Sequence, residues 1–221
     1  MILFLFAALS LGACRSLHVS DYRSSKPMET RLPQLDLQVH QTSFLDAYDD
    51  QYLRYRQPYD DDYWYGRQIT DRAVEDVFTL LERDMADNIT TTSAETYGRM
   101  RFKLLHYNRP LRGMGWVIPS ITTMFIANAV GMPIANIWVE LELQMEITDA
   151  NGKVLVHYVA PGKGKTPMAL YYGYTASDAI RRANLKAIKD AMKHIKQEMN
   201  ADVPMLTEKL QAAGTIPKVG K

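Results

Sequence analysis

Residues 139–159 read VELELQMEITDANGKVLVHYV, and their alternation decides the fold. Val139, Leu141, Leu143, Met145 and Ile147 fall on one parity; Glu140, Glu142, Gln144 and Glu146 fall on the other. A period of two belongs to a strand with one apolar face and one wet face. Asn151-Gly152 is a hairpin signal, because a tight two-residue turn needs positive φ. Val154 to Val159 then returns as the antiparallel partner.

Downstream, Gly162-Lys163-Gly164-Lys165-Thr166 invites comparison with a phosphate-binding loop. That motif needs a glycine where Val159 stands, so the segment is expected to be a mobile basic loop after the strand. A helix is predicted from about Thr175, where Thr175 and Asp178 have capping-box spacing with Asp in place of Glu. Ala176, Ala179, Ile180, Ala183, Ala187, Ile188, Ala191, Met192 and Ile195 make its apolar stripe, with Lys and Arg outside. Asp202, Pro204 and Gly214 bracket a short separate helix in a tail over residues 201–221.

Upstream, Met100, Phe102 and Leu104 alternate with Arg99, Arg101 and Lys103, which is a second strand. Thr70 has the character of an N-cap. After it, Val74, Val77, Phe78, Leu81 and Met85 share one helical face; Arg72, Glu75, Asp76, Glu82 and Arg83 take the other. Leu35, Leu37 and Val39 alternate with polar residues as a first strand. Residues 46–66 are rich in Tyr and Asp, contain Pro58 and lack clean periodicity, which predicts a long loop or short irregular helix. The order β-α-β-(apolar insert)-β-β-α predicts an α+β fold: a two-layer sandwich with a mixed, mostly antiparallel sheet and helices on one face. A single domain spans residues 34–200. The open face should pair Arg99, Arg101 and Lys103 with Glu140, Glu142 and Glu146, at about 0.2–1 kcal/mol per pair.

The chain opens MILFLFAALSLGAC. The apolar run from Ile2 to Leu11, and the small residues before the lone cysteine, resemble the lipobox of bacterial lipoproteins. The resemblance implies cleavage of residues 1–13, a diacylglycerol thioether on Cys14 and an acylated amino terminus there. No Lys or Arg precedes Cys14, a departure from the charged start of signal segments. The run of about ten residues is too short to span a bilayer as a helix. The competing reading is a buried strand with a core cysteine. Residues 14–33 hold Ser16, Ser20, Ser24, Ser25, Pro27 and Pro33 and read as a lipidated flexible tether. Arg15 stands where an Asp would mark inner-membrane retention in the enteric pattern, so the resemblance implies the outer membrane, facing the periplasm. The general plan of lipobox, tether, 139–159 hairpin and 176–199 helix is also similar to small periplasmic lipoproteins such as the curli-secretion and penicillin-binding-protein activator families. Only topology carries that similarity, so no residue role beyond Cys14 transfers.

With a net charge of +1, a global basic field for nucleic acid is absent. His18, His40, His106, His157 and His194 show no metal-ligand spacing. Asp49, Asp50, Asp60, Asp61 and Asp62 lack the EF-hand pattern, so no metal or cofactor is expected. No G-x-S-x-G or S-x-x-K occurs, a lipidated Cys14 would be no nucleophile, and no catalytic residue is assigned. Two stretches remain as candidate surfaces. Tyr48, Tyr52, Tyr55, Tyr59, Tyr63, Trp64 and Tyr65 suit capture of glycan, a small ligand or protein, or else simply cover the core edge. Residues 113–138 contain no charged residue. They read as core, as a membrane-inserting element or as an oligomer contact through Trp116, Val117, Ile118, Met124, Phe125 and Ile126. The expectation is a non-enzymatic, lipid-anchored envelope protein that binds an envelope protein partner or assembles with itself; glycan or ligand binding by loop 48–65 is the alternative.

Overall fold

The computed structural model describes residues 17, 19–22, 27–54, 63–110, 114–129, 132–169 and 176–217. Strands β1 (Leu35–Val39), β2 (Gly98–Asn108), β3 (Ala135–Asp149) and β4 (Val154–Met168) form one sheet in that order. β1 and β2 are parallel; the other neighbours are antiparallel. A parallel pair needs a crossover, here supplied by helices α1 (Gln41–Arg54) and α2 (Tyr63–Asp84). Two short helices, α3 (Val117–Thr122) and α4 (Ile126–Ala129), lie between β2 and β3, and α5 (Ala176–Ala212) follows β4. The buried faces of α1, α2 and α5 share one core with the inward residues of the sheet. This is the expected α+β arrangement.

The hairpin forms as its alternation requires, with Leu143 opposite Ala160 and Met145 opposite Tyr158. Gly152 takes φ +83° at the turn. Asp149 Oδ1 accepts from the Asn151 and Lys153 amides, both at 2.9 Å. The expected basic loop, however, is strand. Tyr158, Ala160, Gly162, Gly164 and Thr166 keep inward parity through it. A β-carbon on Gly164 would collide with the Ala183 carbonyl oxygen, and one on Gly162 with that of Ala187. The glycines let the backbone of α5 lie directly on β4, and the Ala183/Ala187/Ala191 row is its counterpart.

Three further expectations change. Helix α5 runs 37 residues without a break at residue 200, and Pro204 sits inside it. A mid-helix proline costs about 3 kcal/mol, but Met199, Val203, Leu206 and Leu210 continue the buried stripe. At about 1.5–3 kcal/mol for each buried side chain, that burial outweighs the break. Helix α2 starts at Tyr63, so Thr70 is interior rather than a cap. Its apolar periodicity marks only the part that touches the core. The 15–33 stretch is no free tether where it is described. Leu17 and Tyr22 pack against the core, and Met28 and Leu32 are buried. Leu32 donates to Ile89 at 2.9 Å and accepts from Thr91 at 2.8 Å, against the π-helical turn Met85–Ile89 that ends α2.

Two polar clasps join α2 to α5. Arg181 donates to both Asp76 oxygens, at 2.6 and 2.8 Å, and Tyr22 donates to the same carboxylate. Asp76, placed by periodicity on the wet face, is therefore buried. About two turns further along α2 and four along α5, Lys196 Nζ donates to Asp84 at 2.9 Å, with Asn88 also donating to Asp84 at 2.7 Å.

Candidate functional site

The connection from β2 to β3 makes an apolar cap at one end of the sheet. A 3-10 turn at Met114–Trp116 leads into α3, a turn through Thr123, Met124 and Phe125, and then α4. Pro119 is in the first turn of α3, where its missing N–H would have no helical partner. Ile118 is 71% exposed, Ile121 60%, Met124 83%, Phe125 55% and Ile126 68%. The core reading therefore fails for these five side chains, with Trp116 half-buried at their root, and holds for the end of the uncharged stretch, where residues 135–138 begin β3 and Ile137 packs against the core. The side chain of Val117 lies outside the described residues. Ile121 was missed in the sequence; its i+3 spacing from Ile118 was the available signal.

The tip is held in a strained shape. Met124 and Phe125 have φ of 49° and 62°, a left-handed region that costs a non-glycine residue about 1 kcal/mol or more. Its polar groups turn inward. The amides of Thr123, Met124, Phe125 and Ile126 donate to Pro119, Ile121, Ser120 and Thr123 carbonyls. Ser120 Oγ donates to Trp116 O at 2.6 Å, and the Thr122 and Thr123 hydroxyls to Pro119 O at 2.9 Å each. Asn128 donates to the Met132 and Pro133 carbonyls. Beside the cap, register places Lys165 opposite Trp138 and Lys163 opposite Glu140. The Lys165 ammonium is 4.6 Å from the Trp138 ring centre.

The second candidate is the sheet face away from the helices. A depression of about 310 Å³ lies there among Gln38, His40, Arg101, Lys103, Gln144 and Glu146. Arg101 donates to Gln38 at 2.9 Å and meets Glu146 at 3.5 Å. The expected ladder is only partly built: register sets Arg99 against Thr148 and Lys103 against Gln144. Leu105 and Val159 add exposed apolar area.

The tyrosine segment is not one surface. Tyr48 is on α1 and buried, its ring 4.6 Å from that of Tyr107. It belongs to the core, because Phe44, Ala47 and Tyr48 share the inner side of a regular helix that starts before the 46–66 stretch expected to be a long loop or short irregular helix. Tyr52 is on α1, and Tyr63, Trp64 and Tyr65 are on α2, with side chains outside the described residues. Tyr55, Tyr59 and Cys14 lie outside the described residues altogether.

Buried titratable groups are tied into structure. Burial pushes the Tyr107 phenol up to about 12, and Tyr107 donates to Asn184 at 2.9 Å. Burial, with the bond and charge of Asp76, raises Tyr22 to about 12. These phenols hold their protons at neutral pH. Among the described residues no three His, Cys, Asp or Glu side chains converge as a metal site, and no helix is long and apolar enough to cross a membrane.

No family model matches the chain, and no curated protein does. Solved structures that match include a candidate lipoprotein from Caulobacter crescentus, at 12% identity and TM-score 0.34, covering 62% of this chain and 80% of that one. A Xanthomonas campestris protein of the DUF330 family matches at 8% identity and TM-score 0.37, covering 81% and 96%. Likenesses this distant carry no argument about the activity of this chain.

Proposed function

We propose that this chain is a lipid-anchored cell-envelope protein that acts by non-covalent binding of a partner protein, not by catalysis. The uncovered sheet face carries that reading. Strands of 5, 11, 15 and 15 residues, at about 4.8 Å by 3.3 Å per residue, give a footprint of roughly 700 Å². That is close to one partner's share of a standard protein interface, about 800 Å². Its mixture of Arg101, Lys103, Glu146, Leu105 and Val159 supplies both signs of charge and some apolar area, as the rim and core of such interfaces do. The lipobox resemblance at Cys14 supplies the envelope address, facing the periplasm from the outer membrane.

Two measurements test this. The intact mass of the N-terminal peptide from native membranes is expected to show an acylated Cys14. A photo-crosslinking residue at Lys103, in the full chain in its own membrane, is expected to give a discrete protein adduct. The same residue at Gln197, on the helix layer, is expected to give none. Equal adducts from both positions, or none from Lys103, would sink the binding assignment. An adduct of twice the chain mass would identify the partner as a second copy.

A further inference from the structure

We infer that the apolar cap, residues 114–129, is a membrane-interface wedge that dips into the same bilayer that holds Cys14, giving the protein a second point of attachment. This rests on the lipid-anchor reading above and adds an occupant for a surface that reading leaves unused.

Four observations point to lipid and not to another protein. First, Ile118, Ile121, Met124, Phe125 and Ile126 project to solvent from two adjoining helical turns, in a stretch with no charged residue from 113 to 138. Second, the hydrogen-bond donors of the tip are already used within the cap. Its Ser120, Thr122 and Thr123 hydroxyls and the amides of residues 123–126 donate within the cap. A protein interface of useful size makes about one hydrogen bond per 100–200 Å², whereas hydrocarbon demands that backbone polar groups be satisfied internally. Third, the border of the cap has the interfacial composition. Trp116 and Trp138 are half-buried at its root, and Lys163 and Lys165 stand on the adjacent strand. Amphipathic rings and long cations suit the headgroup level, and anionic lipid would attract the lysines.

Fourth, the described part of the chain leaves the anchor able to reach this end. Gly164, near the cap end of β4, underlies Ala183 of α5. Tyr22 is clasped beside Arg181, and Asp21 lies 3.8 Å from Arg182. Pro27 and Met28 line a depression farther from the cap along α5, with Lys193, Gln197 and Asn200. Cys14 precedes Tyr22 by eight residues, a reach of about 28 Å at most. A lipid on Cys14 is thus within reach of the cap end of the fold. Several acyl chains on Cys14 would already hold the protein to the bilayer; a wedge would fix which way the sheet face points.

The test uses the full acylated chain with Phe125→Cys carrying an environment-sensitive fluorophore. It is reconstituted in vesicles of phosphatidylethanolamine and phosphatidylglycerol, with a nitroxide quencher on the acyl chains. The control label is at Glu208→Cys, on the exposed side of α5 at its far end. The expected result is a blue shift and loss of most emission at position 125, with position 208 unchanged. Adding Ile121→Asp, at an exposed position that leaves the melting curve unaltered, is expected to abolish the shift. Intact mass counts the labels, so a free Cys14 thiol is seen directly. Water-like emission at position 125 with Cys14 acylated overturns the wedge and leaves the anchor standing. Shielding at 125 that grows with protein concentration but escapes the lipid quencher also overturns it, in favour of a protein contact. Quenching at 125 with Cys14 unacylated keeps the wedge and removes the anchor.

Discussion

The substitution Gly164→Ala adds one carbon and is expected to be among the most damaging single-methyl additions in the protein. Its β-carbon would point into the Ala183 carbonyl oxygen and lie 2.9 Å from the Ala187 amide nitrogen. Both atoms are backbone of α5, so no rotamer change relieves the overlap. Restoring ordinary contact near 3.4 Å needs an outward shift of the helix by roughly 1.5 Å. Such a shift loosens Ala183, Ala187, Ile188 and Ala191, all fully buried. Overpacking of a well-filled core costs about 1–3 kcal/mol, and a backbone clash belongs at the top of that range, about 3 kcal/mol. For a domain of this size that lowers the melting temperature by about 6–12 °C. Gly115→Ala, with nothing within 4 Å, is the matched control and should stay within about 0.5 kcal/mol. Circular dichroism melts and urea titrations of the two variants measure the difference. A Gly164→Ala protein within about 1 kcal/mol of wild type would refute the close-approach argument. So would full rescue by Ala183→Gly, since the obstruction is the carbonyl and not the alanine methyl.

The Asp84–Lys196 pair, with side chains 1% and 5% exposed, should show the asymmetry of buried charges. Asp84→Ala is expected to cost about 3–5 kcal/mol by removing one partner of a buried ion pair, and Asp84→Leu with Lys196→Met far less than the sum of the single changes, as read by a urea double-mutant cycle. Tyr107 makes stability sensitive to alkali. Burial raises its folded pKa to about 12 from an ordinary 10.0, so its stabilising contribution is complete below pH 10 and is lost as pH rises through 12. The loss amounts to about 2–3 kcal/mol. Urea midpoints at pH 9 and pH 11.5 should therefore converge between wild type and Tyr107→Phe as pH rises; a constant gap would refute the assignment.

The alternation of residues 139–159 determined a hairpin, the stripe from Ala176 to Ile195 determined a helix, and their order with Met100–Leu104 determined a two-layer α+β fold. Each of these is a local periodicity, and burial on one face is the physical reason it is legible. Helix α1 hid because its Phe44/Ala47/Tyr48 stripe is short and runs into the tyrosine-rich stretch. For the same reason a Tyr48 named as a binding residue is a core residue. Strand β4 hid in the sequence GKGK because glycine has no side chain to show parity; only the approach of Ala183 and Ala187 explains those positions. Pro204 suggested a break that continued burial overrode. Lys196 and Asp76 read as surface charges, since periodicity cannot tell a solvated face from a second helix packed on it. The absence of charge in residues 113–138 was plain in the sequence, but whether those side chains face a core or solvent is a tertiary question. The helix layer is already filled by α1, α2 and α5, so the cap has no interior left to enter and its isoleucines, Met124 and Phe125 stand at the end of the sheet, exposed.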